Sequence, residues 1–162
     1  MKTFLPTFVL LMVGQFAFGQ TSKDTADVKQ LAEGTVIYFY NGDMVSFANL
    51  FDTNATFIAV TGLFAKGKSQ IADMHKIWKI DSATVTKYKQ PIINFATKDI
   101  AVSYIVWDGL VFGEGPAKGT VQSGYLTIVS QRTKSGWKII SATNALNFRG
   151  LKNFDLKPYT GK

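Results

Sequence analysis

The sequence predicts an α+β fold in which helices gather on one face of a strongly curved antiparallel sheet. Apolar residues recur at helical spacing in the first half of the chain, whereas alternating segments rich in β-branched residues fill the second half. Few residues separate the long strands of the second half, and short connections favour an antiparallel meander. The order helix, helix, strand, helix and four strands is typical of a single α+β domain.

The N-terminus has the pattern of a secretory signal peptide. Lys2 supplies a positive charge, residues 4–13 form an apolar run, and Ala17 and Gly19 place small residues before a cleavage point at Gln20. A transmembrane anchor is the alternative, but the run is shorter than the roughly 20 residues that a membrane span needs. No cysteine stands at the cleavage point to carry a lipid. We therefore expect a soluble mature protein that is exported, either periplasmic or secreted.

These patterns divide the chain into four segments. We expect a signal peptide at residues 1–19, a tether at 20–26, a single domain at 27–148 and a C-terminal tail at 149–162. Removing the leader leaves 143 residues (162 minus 19), enough to bury a core without disulfides or a structural metal. The absence of cysteine excludes thiolate metal sites, thiol nucleophiles and redox pairs.

The net charge excludes little by itself. It is +7 for the whole chain, and +6 once Lys2 is removed with the leader (7 minus 1). A basic protein can bind nucleic acid or an acidic surface, but here the lysines and arginines are scattered and form no dense tract. We expect no nucleic-acid partner and, after removal of the leader, no membrane partner.

Three helices are predicted from apolar residues that share one face. The first begins after a cap at Asp24 or Thr25 and ends at Asn41, where Gly42 tolerates positive φ. A second, short helix follows. The third spans residues 68–79, and helical spacing places four of its side chains on one face: Ile71, Met74, His75 and Trp78.

The strands follow from alternation between turn signals. A first strand covers residues 55–60, before the third helix. After that helix, the pattern predicts four long strands, at residues 84–95, 100–112, 121–133 and 137–146.

Short motifs spread over residues 24 to 147 carry a family resemblance. They are Tyr40-Asn41-Gly42-Asp43 with Leu50-Phe51, Thr61-Gly62-Leu63 with Lys66-Gly67-Lys68, Ile71 and His75, Asp99-Ile100-Ala101-Val102 with Trp107, and Gly136-Trp137-Lys138-Ile139 with Asn144. In this order and spacing the chain resembles the nuclear transport factor 2-like superfamily, within it the SnoaL-like branch and its SgcJ/EcaC-type family. The resemblance implies a cystatin-like cone of curved sheet, closed by helices around a cavity.

The chain departs from that family in places. Asn54 stands where relatives often have an aspartate, and Ala145 where a threonine often follows the asparagine. The family label names an oxidoreductase, but this sequence has no nucleotide-binding motif. Gly113 and Gly115 join two strands, and no helix N-terminus follows to receive a phosphate. We therefore expect no cofactor.

His75 is the sharpest chemical signal, because it is the sole histidine and its helix face turns inward. Its imidazole titrates near neutral pH, so it is a candidate catalytic acid or base. The alternative is a histidine that packs in the core with one hydrogen bond. A lone histidine assembles no metal site, and the nearby oxygens are not clustered at ligand spacing, so we expect no metal.

Asp108 is the second candidate catalytic residue. In an otherwise apolar strand, its carboxylate enters the cavity as a base or as the partner of His75, or else Asp108-Gly109 forms a bulge with the carboxylate in solvent. Strand parity groups Asp108 with Tyr104, opposite Trp107. The sequence leaves open which set faces inward.

Candidate ligand-binding residues are the amide of Asn144 and several aromatic side chains. The amide can orient a ligand carbonyl or a water, or it can tie down the end of the last strand. Large aromatic residues are more often core than ligand contacts, but four are candidate cavity walls: Trp78, Tyr104, Trp107 and Tyr125.

These residues support three hypotheses of function. The first is an exported domain that holds a small apolar molecule without turnover, as a homodimer through the open sheet face. The second is a cofactor-independent isomerase, dehydratase or cyclase in which His75, with or without Asp108, moves a proton. In the third, aromatic side chains fill the cavity and the domain acts through its surface.

Overall fold

A computed structural model describes residues 20–78, 80–81, 87–114 and 118–147. The predicted leader and C-terminal tail lie outside the described residues. The helices are α1 (Ser22–Tyr40), α2 (Met44–Asn49) and α3 (Lys68–Lys76). The strands are β1 (Phe51–Ile58), β2 (Phe64–Lys66), β3 (Lys87–Tyr88), β4 (Ile92–Thr97), β5 (Ile100–Val111), β6 (Val121–Thr133) and β7 (Gly136–Leu146).

The described strands form one sheet in the order β2-β1-β7-β6-β5-β3, and β4 also pairs with β5. Neighbouring strands are antiparallel, as predicted for the second half, with one exception: β1 runs parallel to β7, with Phe57 opposite Ala142. The helices pack against this sheet, and the α+β prediction is confirmed.

Helix α1 begins earlier than predicted. Thr21 is its N-cap, and Asp24 completes a capping box with it by accepting from the backbone N–H and the hydroxyl of Thr21. The predicted tether at 20–26 is therefore wrong from Ser22 onward, because those residues are helical. The predicted caps at Asp24 or Thr25 are also wrong, because the cap is Thr21. The polar, small residues of this segment resemble a tether, but here they form the first helical turn.

The early start of α1 is stabilised by contacts with the hairpin between β6 and β7. The buried carboxylate of Asp24 accepts from the indole N–H of Trp137 at 3.1 Å and from Arg132 at 2.6 Å. The guanidinium of Arg132 also lies 4.8 Å from the centre of the Trp137 ring. Arg132 and its hydrogen-bonded neighbours hold the pKa of the Asp24 carboxyl far below its usual range.

The strand predicted at 84–95 is divided. Only Lys87–Tyr88 and Ile92–Thr97 pair with β5, and residues 82–86 are outside the described part. Pro91 lies in the gap between them and has no backbone N–H to donate, which accounts for a break in an edge strand.

Other boundaries differ by several residues. Strand β1 begins at Phe51 rather than at residue 55, and α3 ends at Lys76 rather than at 79. The short edge strand β2 was not predicted, because three residues carry too little alternation to recognise. By contrast, β6 has the bounds that the sequence predicts.

The core lies between the helices and the inner face of the sheet. On β5 the inner face carries Ala101, Ser103, Ile105 and Trp107, all buried. The outer face of the same strand carries Tyr104, which is 42% exposed. The helices therefore cover one face of the sheet, and the other stays open.

Candidate functional site

A cavity lies between the helices and the inner face of the sheet. Its volume is about 60 Å³, about twice the roughly 30 Å³ that one water molecule occupies in the liquid. Its walls come from all three helical regions and from β1, β5, β6 and β7. The lining residues are Thr35, Val36, Phe39, Tyr40, Phe47, Phe57, Ala59, Val60, His75, Trp78, Trp107, Leu110, Phe112, Leu126, Asn144 and Leu146. No Asp, Glu, Lys or Arg is among them.

The presence of this cavity beside His75 decides one hypothesis. If aromatic side chains filled the interior, no pocket would remain next to the histidine. The third hypothesis, a filled cavity and a purely surface function, is therefore wrong in its structural premise.

His75 lies in the cavity wall within a cage of phenylalanines. Its ring centre is 5.4 Å from Phe39, 4.5 Å from Phe47 and 4.6 Å from Phe57. The side chain is 7% exposed. Helical spacing predicted this inward position because residues 71 and 75 share a face of α3, and both are buried.

One ring nitrogen of His75 is hydrogen-bonded to a described residue and the other is not. Nδ1 lies 2.6 Å from the carbonyl oxygen of Ile71, one turn earlier in the helix. A carbonyl oxygen only accepts, so Nδ1 carries the proton and donates. In the neutral ring Nε2 is then an acceptor, and it makes no hydrogen bond with a described residue.

The aromatic cage also decides the charge of His75. Burial disfavours the imidazolium form and lowers the pKa below 6.5, while the hydrogen bond to Ile71 acts weakly in the opposite direction. His75 is therefore neutral at neutral pH.

Trp107 and Asn144 form a polar pair in the opposite wall. The indole Nε1 of Trp107 donates to Oδ1 of Asn144 at 2.8 Å. Gly124, on the neighbouring strand, leaves the room for this ring: a Cβ there would lie 2.5 Å from Cζ2 of Trp107. The glycine thus allows the indole to lie flat across β6 and to meet the amide.

Asp108 does not enter the cavity. The register of β5 with β6 shifts between Trp107 and Leu110, and Gly109 has φ +74°, so Asp108-Gly109 forms the bulge that was the alternative prediction. The Asp108 carboxylate accepts from the backbone N–H of Gly109 at 2.9 Å. As a partner for His75 in the cavity, the Asp108 prediction is wrong.

Tyr40 joins the bulge to the cavity, and sequence analysis missed it. Its hydroxyl donates to the backbone carbonyl of Asp108 at 3.2 Å. Burial, with a smaller contribution from the Asp108 charge, raises the pKa of Tyr40 to about 12. Its position at the end of α1, one residue after Phe39, was the available signal.

The remaining predicted site residues divide between the two faces of the sheet. Trp78, Trp107 and Asn144 line the cavity, and their contact with a ligand stays a prediction. Tyr104 and Tyr125 are 42% and 44% exposed and do not line it. Strand parity puts both tyrosines on the outer face, so their assignment as cavity walls is wrong.

Two further features bear on the class of protein. The described residues include no group of three or more metal-ligating side chains. Among the same residues, no helix has the length and apolar character to span a membrane.

The chain has a cystatin-like, nuclear transport factor 2-like fold, with a curved sheet and an apolar interior. No protein-family profile matches the sequence, and no curated protein matches it. The similarity to solved structures therefore establishes the fold alone.

Three solved structures illustrate this similarity. An uncharacterized protein with a cystatin-like fold from Caulobacter vibrioides is 16% identical, with a TM-score of 0.69 over 82% of this chain and 96% of that one. An NTF2-like protein from Cytophaga hutchinsonii is 16% identical (TM-score 0.62; 79% and 100% covered). Hexachlorocyclohexane dehydrochlorinase LinA-type3 from Novosphingobium barchaimii is 13% identical (TM-score 0.66; 78% and 88% covered).

Proposed function

We propose that this chain is an exported binding protein of the SnoaL-like, SgcJ/EcaC type that holds a small, largely apolar molecule in its cavity. The observation that carries the proposal is the uncharged, mainly apolar and aromatic lining around His75. Burial of an apolar ligand against such a wall is favourable. The few polar groups in the wall orient the ligand, as they do in ligand sites generally.

The size of the cavity limits the ligand. About 60 Å³ is far below the roughly 300–1,000 Å³ of sites for drug-sized molecules. A cavity of about 150 Å³ is large enough to bind benzene, so a single small ring enters this cavity only if its walls move apart, and a larger ligand is excluded. Among the described residues, those that line the cavity are uncharged, and a neutral ligand suits such a wall because a buried charge without a partner is costly.

Binding can be tested by thermal unfolding with benzene, toluene and cyclohexane. A ligand at a hundredfold its Kd stabilises the folded state by about 2.7 kcal/mol. Ala59→Leu should abolish this stabilisation, because Ala59 lines the cavity and the added side chain fills it. Ala145→Leu is the matched control, since Ala145 is exposed at the open face. No stabilisation of the unmodified chain by any of the three would contradict the proposal.

Export is part of the proposal and has its own test. If the leader acts as proposed, the periplasmic or secreted product begins at Gln20. Expression of the full chain, followed by N-terminal sequencing or intact-mass measurement of the extracytoplasmic fraction, reads the cleavage point directly. A product that keeps residues 1–19 would contradict it.

An acid–base enzyme is the second candidate, favoured by one observation: Nε2 of His75 is an uncommitted base facing an apolar space. Against it, none of the described residues that line the cavity carries a carboxylate to assist the histidine. The test is incubation of a small cyclic ketone in D₂O, in which a base exchanges the protons next to the carbonyl. If the protein is an enzyme, the unmodified chain should accelerate this exchange and His75→Phe should not. Equal exchange rates with the unmodified chain and with His75→Phe would contradict the enzyme and leave only the binding function.

We also propose a homodimer through the outer face of the sheet. Exposed Tyr104 lies opposite Ile92, and exposed Ile58 lies opposite Phe64, in an uncharged row across the strands. A two-fold axis pairs such a face with its own copy. Tyr104→Arg should give a monomer by light scattering after size-exclusion chromatography. Gln30→Arg, exposed on α1, should not; an unmodified chain that is monomeric would contradict the proposal.

A further inference from the structure

Few polar groups lie in the cavity wall, and those with a free donor or acceptor determine which neutral ligands form hydrogen bonds there. The hydroxyl of Thr35 donates to the carbonyl of Ala32 at 2.6 Å, and that of Tyr40 donates to the carbonyl of Asp108. Both protons are therefore already used by the backbone. The selection falls to His75 and Asn144.

The orientation of the Asn144 amide follows from its neighbour. An indole N–H donates and never accepts, so the Asn144 atom at 2.8 Å from Nε1 of Trp107 is the oxygen. The amide NH₂ is then the other end of the group, and it makes no hydrogen bond with a described residue. Asn144 thus offers a donor at the cavity wall.

His75 offers the opposite function. Because Nδ1 donates to the carbonyl of Ile71, the neutral ring exposes only the Nε2 lone pair. A ligand group that donates a hydrogen bond satisfies it, whereas a hydrocarbon leaves it unpaired in an apolar environment. The cavity therefore carries an acceptor in α3 and a donor in β7.

We propose that the molecule bound in this cavity is a neutral, single-ring hydroxylated compound of the phenol class, whose O–H donates to Nε2 of His75 and whose oxygen accepts from the amide of Asn144. This inference rests on the proposed binding function and names its ligand class. The phenylalanine cage around the imidazole and the aromatic pair Trp78–Phe112, with ring centres 5.3 Å apart, suit a flat ring.

The experiment compares four probes of similar size by calorimetry and by thermal unfolding: phenol, anisole, toluene and benzoate. Phenol donates and accepts, anisole only accepts, toluene does neither, and benzoate is charged. Phenol should bind about 25-fold to 100-fold more tightly than toluene, because each of its two neutral hydrogen bonds contributes a factor of about five to ten. Anisole should bind more weakly than phenol, and benzoate should not bind.

Substitutions assign this preference to a residue. His75→Phe keeps an aromatic ring and removes the acceptor, so phenol should lose its advantage over anisole and keep only the part of its preference over toluene that the Asn144 amide supplies. Tyr104→Phe is the matched control: it also removes one polar group, but on the open face, and should keep the preference. Circular dichroism and thermal unfolding show whether each variant folds.

A spectroscopic measurement serves if His75→Phe does not fold. The chain has a single histidine, so its imidazole ¹⁵N resonances are assigned without ambiguity. Phenol should shift the Nε2 resonance of the unmodified protein in the direction of an accepted hydrogen bond, and toluene should leave it nearly unchanged.

The outcomes separate this inference from the proposed function. Toluene and phenol of equal affinity, or tight binding of benzoate, would overturn the phenol assignment and leave a binding cavity. Binding of none of the four probes would overturn both. A phenol preference over toluene that is undiminished in folded His75→Phe would show that His75 is not the acceptor, which also overturns the assignment.

Discussion

Two buried serines lower the stability of this fold, and their removal should raise it. Ser103 on β5 and Ser130 on β6 are both 0% exposed, and neither hydroxyl has a hydrogen-bond partner among the described residues. They are close neighbours across the strands, because Ser103 lies opposite Ile128 and Ser130 lies opposite Ala101. A buried polar group without a partner loses its hydration and gains nothing in return.

The size of the effect follows from this loss. An unsatisfied buried donor or acceptor costs about 1–3 kcal/mol, and deleting a single oxygen atom forfeits a smaller packing contribution. Ser103→Ala should therefore raise the free energy of unfolding by about 1 kcal/mol. For a domain of this size, the corresponding increase in Tm is about 2–4 °C.

Ser141 is the matched control for this substitution. It lies on β7, and its hydroxyl accepts from that of Thr56 at 3.1 Å. Ser141→Ala should lower the free energy of unfolding by about 0.5–1.5 kcal/mol, because it breaks a satisfied bond. Urea denaturation of both variants measures the sign of each change in the free energy of unfolding. If Ser103→Ala destabilises the protein as Ser141→Ala does, the Ser103 hydroxyl has a partner, such as an enclosed water, and the reasoning fails.

Three more predictions concern the cavity and its supports. Gly124→Ala should destabilise the fold by at least about 1–3 kcal/mol and weaken ligand binding, because its Cβ would meet both the backbone carbonyl of Ala145 and the ring of Trp107. Thr127→Ala on the same strand is the control, and equal losses in urea denaturation would contradict this. His75 has a pKa below 6.5 when folded, so the unfolded state binds a proton first as the pH falls. The free energy of unfolding that depends on the neutral His75 ring is therefore complete above pH 6.5 and declines below it. A His75 pKa at or above 6.5, measured by NMR titration of the ring, would refute the predicted lowering. Asp24 has a lowered pKa, so its contribution is complete above pH 3.8 and is lost in stronger acid. Asp24→Asn should lower the free energy of unfolding at neutral pH and make it less dependent on pH in acid. An unchanged urea midpoint at neutral pH would contradict this prediction.

Parts of the site could be predicted from local spacing alone. His75 was expected inside because it follows Ile71 by one helical turn, and both are buried. Trp107 and Tyr104 were assigned to opposite faces of one strand by alternation, and they are on opposite faces. Spacing of this kind survives folding because the geometry of a helix or a strand is the same in every protein.

Other parts depended on residues far apart in the chain. The cap at Thr21 is supported by Asp24, which bonds to Trp137 more than a hundred positions later. The Trp107–Asn144 bond, which orients the amide, likewise joins two strands. No local pattern contains such pairs, because their partners are chosen by packing.

By itself, the sequence determined the class of fold, most of its elements, and the two sets of side chains on each long strand. Alternation and helical periodicity are local, so they could be recognised without a structure. Only the tertiary structure decided which set faces inward: the helices cover the face with Trp107 and leave Tyr104 and Tyr125 outside. It also decided that Asp108 stands at a bulge and that the described residues lining the cavity are uncharged. These depend on which surfaces meet, and that is a property of the whole packed domain.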